Sequence, residues 1–415
     1  MRRLIAVVAV LAALAAGCGG DDDAGGAGER DGAGASGASG GSAPSGDEIV
    51  VGGVAQLDFY PGIDAGVEAR LERANREGGV QGRQLRFLGT SDDGSSPDTN
   101  LSTVRSLVQS DDVFAVLPVA SAVFLPQSSD FLAQEGVPYV GWGFMPGFCG
   151  SDWGYGFNGC LANYDVAVTS LAEPAIEVSG EDASDLRVAI QSGDDESGEL
   201  GRVAQAVAFE EVGAEVVYNE ADLPVGGSVT DYSPYVQAIL ETEPDIVVLS
   251  TDFPGAVGLS GALNAAGYDG VIQSFVAYVP GVLEDQPDVA AALEGTYVNT
   301  QIPPQEDGSP AVRQIEEDLE AIGEDTTISL GAAIGYWQAD LFVAALEAAE
   351  EPTPEALHEV MTSGFTYEPP EGYIEALEFP NALTQPAPCA ALVRIEDGAY
   401  TSAVPFDCYD SVAVE

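Results

Sequence analysis

The sequence contains no lysine. Its 13 basic side chains are all arginine, set against 68 acidic ones and one histidine, for a formal charge of −55. Each scarcity removes a chemistry. Without lysine there is no Schiff-base nucleophile and no G-x-x-x-x-G-K loop to cradle a nucleotide phosphate. With His358 alone, any imidazole acid–base mechanism rests on one residue in the polar helical stretch Glu355–Glu359, where a surface position is expected. No G-x-S-x-G elbow occurs either. So few arginines among so many carboxylates cannot neutralise nucleic-acid phosphates, nor hold the chain to an anionic membrane surface by charge. The acids are scattered along helices and form no repeated calcium-type loop, so the charge reads as solubility.

Cysteine is also scarce, at five residues. Cys18 stands apart near the start. Cys149, Cys160, Cys389 and Cys408 lack the close spacing of a zinc knuckle, and one histidine does not complete a site, so no metal is expected. An even number in an exported chain indicates disulfides. Three pairings are open. The simplest joins Cys149 to Cys160 and Cys389 to Cys408, each short loop contributing about 3 kcal/mol.

The start of the chain supports export. Arg2-Arg3 precede an apolar run from Leu4 to Ala16, shorter than the roughly 20 residues of a membrane span. Small residues follow, as before a signal-peptide cleavage point. Leu14-Ala15-Ala16-Gly17-Cys18 resembles a bacterial lipobox, which implies a leader over 1–17 and lipidation of Cys18. Residues 18–47 are almost entirely Gly, Ala, Ser and Asp and read as a flexible tether. The folded body then begins near Glu48. Its roughly 370 residues exceed what one core usually supports, so two lobes are expected.

Within the body, apolar strand-like runs alternate with helical periodicity. Strands are expected at Ile49–Val54, Arg83–Leu88, Val113–Leu117 and Val137–Gly141, with helices over 62–77, 97–110 and 122–134. After an irregular stretch over 142–161 the rhythm restarts, with strands near 187–190, 214–218, 245–249 and 271–275. Later helices are expected at 311–322, 329–349 and 354–362. Continuous apolar strands separated by helices predict an α/β protein with two doubly wound parallel-sheet lobes. Gly154-Tyr155-Gly156-Phe157-Asn158-Gly159 fits G-x-G-x-x-G, but it follows no predicted strand and reads as a loop. The acid pairs Asp92-Asp93 and Asp194-Asp195 read as solvated strand-end residues.

Open α/β sheets bind ligands at the carboxyl ends of their strands. Those ends carry Ala120-Ser121, Trp142-Gly143-Phe144, Asp252-Phe253 and Val276. Ser121 could lead a helix N-terminus whose free N–H groups hold a carboxylate, and the aromatics could form apolar walls.

Several motifs together resemble a known family. Asn75-Arg76-Glu77-Gly78-Gly79-Val80-Gln81-Gly82-Arg83-Gln84-Leu85 follows N-x-x-G-G-V-x-G-R-x-L, as in type I periplasmic binding proteins of the branched-chain amino acid transporter group. Ser91-Asp92-Asp93-Gly94 matches that family's acidic turn, and Thr230-Asp231-Tyr232-Ser233-Pro234-Tyr235-Val236 matches its T-D-F-S-P-x-V. The resemblance runs from about residue 48 to about 400. It implies two lobes joined by a hinge of three crossovers, here 48–163 plus 302–368 and 164–301 plus 369–415. It also implies a cleft ligand whose carboxylate is held near Ala120-Ser121 and Gly143-Phe144, with Phe59 as cover. Ser197, Asp252-Phe253 and Val276 would form the second wall. This chain departs from the family at Ser197-Gly198, where Tyr-Gly is usual, at Val276, where an acid usually holds the ligand ammonium, and at Trp142 and Phe144, which replace small residues. Those departures favour a larger, more apolar or aromatic solute, unless Asp252 or Asp195 supplies the missing carboxylate.

The expectation is therefore a lipid-anchored, extracytoplasmic solute-binding subunit of an ABC importer, partnered by a small molecule and permease subunits, without cofactor, catalysis or nucleic acid. A ligand sensor for a membrane receptor is the alternative. An extracellular hydrolase lacks a nucleophile–base pair.

Overall fold

A computed structural model describes residues 48–144, 147–161, 165–226 and 229–414. The leader, the tether and Cys18 lie outside the described residues. The chain opens with β1 (Glu48–Ala55), α1 (Ile63–Arg76), β2 (Gln84–Asp92), α2 (Pro97–Gln109), β3 (Ala115–Ala120), α3 (Pro126–Glu135), β4 (Tyr139–Gly141) and β5 (Gly154–Gly156). These strands form one parallel sheet in the order β2-β1-β3-β4-β5. β1 is buried on both faces, as its unbroken apolar run requires. Ser96 caps α2 by accepting from the Thr99 amide, with Pro97 in the first turn.

The chain continues through β6 (Val166–Val168), α4 (Glu173–Ser179), β7 (Arg187–Gly193), α5 (Glu196–Glu211), β8 (Glu215–Leu223), α6 (Ser233–Leu240), β9 (Ile246–Ser250), α7 (Phe253–Ala266), β10 (Val271–Ser274), α8 (Val282–Asp285), α9 (Pro287–Leu293) and β11 (Tyr297–Thr300). Then come α10 (Pro310–Ile322), α11 (Leu330–Ala348), α12 (Pro354–Ser363), β12 (Thr366–Tyr367), β13 (Leu377–Glu378), β14 (Cys389–Glu396), β15 (Ala399–Cys408) and β16 (Ser411–Ala413). The second sheet runs β15-β14-β11-β10-β9-β7-β8. Its strands pair in parallel except at one edge, where β14 lies antiparallel between β11 and β15. The fold is thus the α/β pair of doubly wound sheets that the alternating pattern predicts.

The chain passes between the two sheet systems three times: between β5 and β7, between β11 and α10, and between α12 and β14. Helices α10–α12 pack in the core of the first sheet, and so do Tyr373, Leu377, Phe379 and Leu383. Nearly all of α11 is buried, as its apolar composition on every face demands. It meets α1 at close range. A Cβ on Gly66 would stand 1.9 Å from the Ala332 carbonyl oxygen, and one on Gly335 would stand 2.3 Å from that of Ile63. Arg70 of α1 pairs with Asp340 of α11 inside this contact, and Asp340 also accepts from the Tyr367 hydroxyl at 2.6 Å.

The N-x-x-G-G-V-x-G-R-x-L motif proves to be scaffolding. Asn75 makes reciprocal hydrogen bonds with the Leu85 backbone, at 2.9 and 2.8 Å, locking the end of α1 to β2. Gly79 has φ 73° and passes so close to Arg83 that a Cβ would lie 2.1 Å from its carbonyl oxygen. Arg83 donates to the carbonyls of Glu48 and Pro352. Disulfides join Cys149 to Cys160 and Cys389 to Cys408, the latter pair opposite one another on β14 and β15.

Four expectations change. The helix expected over 122–134 begins at Pro126, because residues 121–125 form a turn closed by bonds from the Val123 amide to Ser121 Oγ and from the Phe124 amide to the Ser121 carbonyl. Residues 154–156, expected as loop, are strand β5, with Tyr155 buried beneath. Asp93, expected in solvent, is fully buried. His358 is half-buried and stacks on Trp153, with centroids 4.0 Å apart and planes within 4°, while the Tyr155 hydroxyl lies 3.2 Å from its Nδ1.

Candidate functional site

A doubly wound sheet opens a crevice where successive connections leave in opposite directions, beyond the carboxyl ends of the strands. In the first sheet this point lies between β1 and β3, and in the second between β7 and β9. Gln56, Tyr60 and Ser121 therefore stand at the first switch point. Asp194, Asp195, Thr251 and Asp252 stand at the second.

At the first, Asp93 occupies the centre of a buried polar knot. Its carboxylate accepts from the Ser95 amide at 3.0 Å, from Asn100 Nδ2 at 2.9 Å and from the Ser121 hydroxyl. Asn100 in turn accepts from Ser128 at 2.7 Å. Gln56 closes the top. It accepts from the Ala122 amide at 2.8 Å and donates to Ser95 at 2.7 Å, while its own amide bonds the Ala120 carbonyl. Ser121 is thus 1% exposed and committed to Asp93, and α3 takes Leu125 as its N-cap instead.

Aromatic rings stand beside this knot. Trp142 meets Tyr60 edge-on, with centroids 6.0 Å apart at 68°, and Phe144 at 5.2 Å and 72°. Phe157 backs Trp142 at 6.5 Å. Such edge-to-face pairs are favoured by the ring quadrupoles. Burial, reinforced by the Asp93 carboxylate, pushes the Tyr60 phenol well above its ordinary range. Phe59, beside it, is 47% exposed, one of three large exposed apolar side chains among the described residues. Gly143 has a packing reason to be glycine, since a Cβ there would meet the Gly159 carbonyl oxygen at 1.9 Å.

At the second switch point the acids are helix caps. Asp195 accepts from the Gly198 amide at 2.8 Å and Asp252 from that of Gly255 at 2.9 Å. Asp252 and Asp194 also hold the loop after β8, accepting from the Gly226 and Val225 amides at 2.6 and 3.1 Å. Ser197 is exposed in the first turn of α5. Phe253 packs on the cluster of Ala277, Leu283 and Val298. Val276 is half-buried, its amide donating to Ser274 Oγ at 3.3 Å. The structure therefore unites Trp142 and Phe144, and binds Ser121 into the knot below them.

Gln56, Tyr60, Asp93 and Phe157 were not singled out as site residues by the sequence. Gln56 could have been, as the first polar residue after an apolar strand.

A concavity of about 440 Å³ lies elsewhere, between α1 and α10. There Arg73, Arg76 and Arg313 face Glu77, Glu317 and Asp318, with Arg76 and Arg73 within 3.0 and 3.5 Å of Asp318. Its charges are already matched, so it is a salt-bridged groove with no surplus charge to attract a ligand. Among the described residues no group of three or more His, Cys, Asp and Glu side chains could hold a metal ion, and no helix is long and apolar enough to cross a membrane.

Paired doubly wound sheets, crossed three times by the chain and bearing aromatic and polar groups at their switch points, define a two-lobed solute-binding class. The chain belongs to the periplasmic binding protein family, whose model matches residues 50–399. Among curated proteins nothing matches it. Solved structures with the same fold include a fatty acid ABC transporter substrate-binding protein from Thermomonospora curvata, at 20% identity and a TM-score of 0.70, over 90% of this chain and 93% of that one. Another is a solute-binding protein of an ABC transporter from R. palustris in complex with 4-hydroxybenzoate, at 18% identity and a TM-score of 0.68, over 88% and 98%. A branched-chain amino acid ABC transporter protein from Thermus thermophilus with bound valine shares 14% identity and a TM-score of 0.66, over 87% and 96%.

Proposed function

We propose that this chain is the extracytoplasmic solute-binding protein of an ABC importer. It captures a small molecule with apolar or aromatic character between the carboxyl ends of its two sheets and hands it to permease subunits. The observation that carries this reading is the ring group Tyr60, Trp142 and Phe144 standing over a polar knot at the switch point of one sheet. Phe59 would cover the ligand, and Ser197, Phe253 and Val276 would line the far wall. Capture would close the lobes by hinge motion at the three crossings. The lobe boundary near the C-terminus is best placed at about residue 388, since Tyr373–Leu383 pack with the first sheet.

We read Cys18 as the lipid anchor and residues 18–47 as a tether that keeps the protein near its transporter. A labelled fatty acid should be incorporated in cells, and C18A should abolish incorporation and release the protein. Retention of C18A in the membrane fraction would refute the anchor. For binding, mass spectrometry of solute released from the purified protein, followed by thermal shift with the solute found, is the direct test. Trp142→Ala should weaken binding while leaving the unliganded melting temperature within a few degrees. Unchanged affinity would sink the site assignment.

A further inference from the structure

The cleft's first wall offers an anion few free backbone donors. After β3 the amides of Ala122, Val123 and Phe124 all donate within the chain, to Gln56 Oε1, Ser121 Oγ and the Ser121 carbonyl. After β4 those of Trp142 and Phe144 donate to the Val119 and Trp142 carbonyls. Most of these backbone donors are thus occupied by the protein's own groups, while the Trp142 indole N–H is buried without a partner and can donate to a neutral acceptor on the solute. No arginine falls among residues 56–60, 92–95, 120–124, 142–144, 193–198, 250–254 or 274–278. The one buried charge at this wall is negative. Asp93 is fully buried, and its three donors, the Ser95 amide, Asn100 and Ser121, are all neutral. A carboxylate out of water with no counter-ion makes the space in front of it favourable for positive charge and costly for negative charge.

Tyr60 lies near enough to Asp93 for that carboxylate to add to the burial that raises its phenol. Tyr60, Trp142 and Phe144 meet edge-to-face, so their faces turn in different directions, as the walls of an aromatic box do. Ring faces are negative and attract cations, alkylated ammonium groups above all. A formal charge of −55 adds long-range attraction of the same sign.

We propose that the solute is an organic cation, an ammonium carrying apolar or aromatic substituents, with its charged centre against Tyr60 and Trp142 on the Asp93 side. The inference rests on the solute-binding reading above and narrows its ligand class, away from the carboxylates.

Isothermal titration of the purified protein with benzyltrimethylammonium, benzyl alcohol and benzoate separates charge from shape. The cation should bind at least tenfold tighter than the neutral alcohol, benzoate should give no binding heat, and cation affinity should fall several-fold from 20 to 300 mM NaCl. Tyr60→Leu should lose tenfold or more for the cation and little for the alcohol. Asp93→Asn should narrow the gap between cation and alcohol, and if that variant does not fold, Tyr60→Leu carries the same contrast. Benzoate binding as tightly as the cation, or a cation no better than the alcohol, overturns the proposal. If none of the three binds but an amino acid, fatty acid or aromatic acid does, this inference falls and the solute-binding function stands. If no solute binds and none co-purifies, the solute-binding function falls with it.

Discussion

Removing the carboxylate of Asp340 should be among the most destabilising single changes in this protein. Its side chain is about 10% exposed, and that of its partner Arg70 about 11%. One oxygen pairs with Arg70 Nε and the other accepts from the buried Tyr367 hydroxyl at 2.6 Å. Asp340→Ala strands a guanidinium in the interface between α1 and α11, and breaking a buried pair by removing one partner costs about 3–5 kcal/mol. It also leaves Tyr367 with no acceptor, a further penalty of about 1–3 kcal/mol. Solvent reaches little of this site, so screening recovers little of either. Urea denaturation read as the shift in midpoint at constant slope measures the loss. The triple variant Arg70→Met, Asp340→Leu, Tyr367→Phe removes every group that would be stranded and should recover most of the stability, because a buried ion pair is often replaceable by apolar packing. A cost below about 1 kcal/mol for Asp340→Ala alone would refute this account of the interface.

Gly66→Ala should also destabilise, although alanine is the better helix former by about 1 kcal/mol. A Cβ 1.9 Å from the Ala332 carbonyl must push α11 away, at about 1–3 kcal/mol or more, so the clash outweighs the propensity. A raised melting temperature for G66A would contradict it. Stability should fall in alkali. Burial and then Asp222 push Tyr218 up to about 12, and burial and then Glu177 push Tyr409 up to about 12, against about 10 when unfolded. These protonated phenols contribute stability that is full below pH about 10 and is lost as pH rises through the folded value. Tyrosinate absorbance and circular dichroism should therefore change together above that pH. Free titration near pH 10 with the fold intact would disprove it. Finally, the melting temperature should climb from 10 mM to 0.5 M NaCl as salt screens repulsion among 68 acidic residues. A flat response would show that the charge does not oppose folding.

Much of this protein could be read along the chain. Strand and helix periodicity are local properties, so β1, α1, α2 and the later helices stand close to where their apolar spacing puts them, and α11, apolar on all faces, could only be a buried helix. The motif around Asn75 and Gly79 was equally legible, because its glycines and asparagine answer to a turn within a dozen residues. Composition alone removed lysine chemistry.

The polarity at the strand ends around β3, by contrast, depends on contacts between distant segments. Whether an amide is free, or an acid solvated, depends on which distant side chain reaches it. Ser121 is committed by Asp93, 28 residues away, and the Ala122 amide by Gln56, 66 residues away. Tyr60 and Trp142 likewise meet only because β1 and β4 flank β3 in one sheet. A sequence fixes which groups are available. Which of them remain to meet a ligand is set by hydrogen bonds and ring contacts that close only when strands far apart in the chain lie side by side.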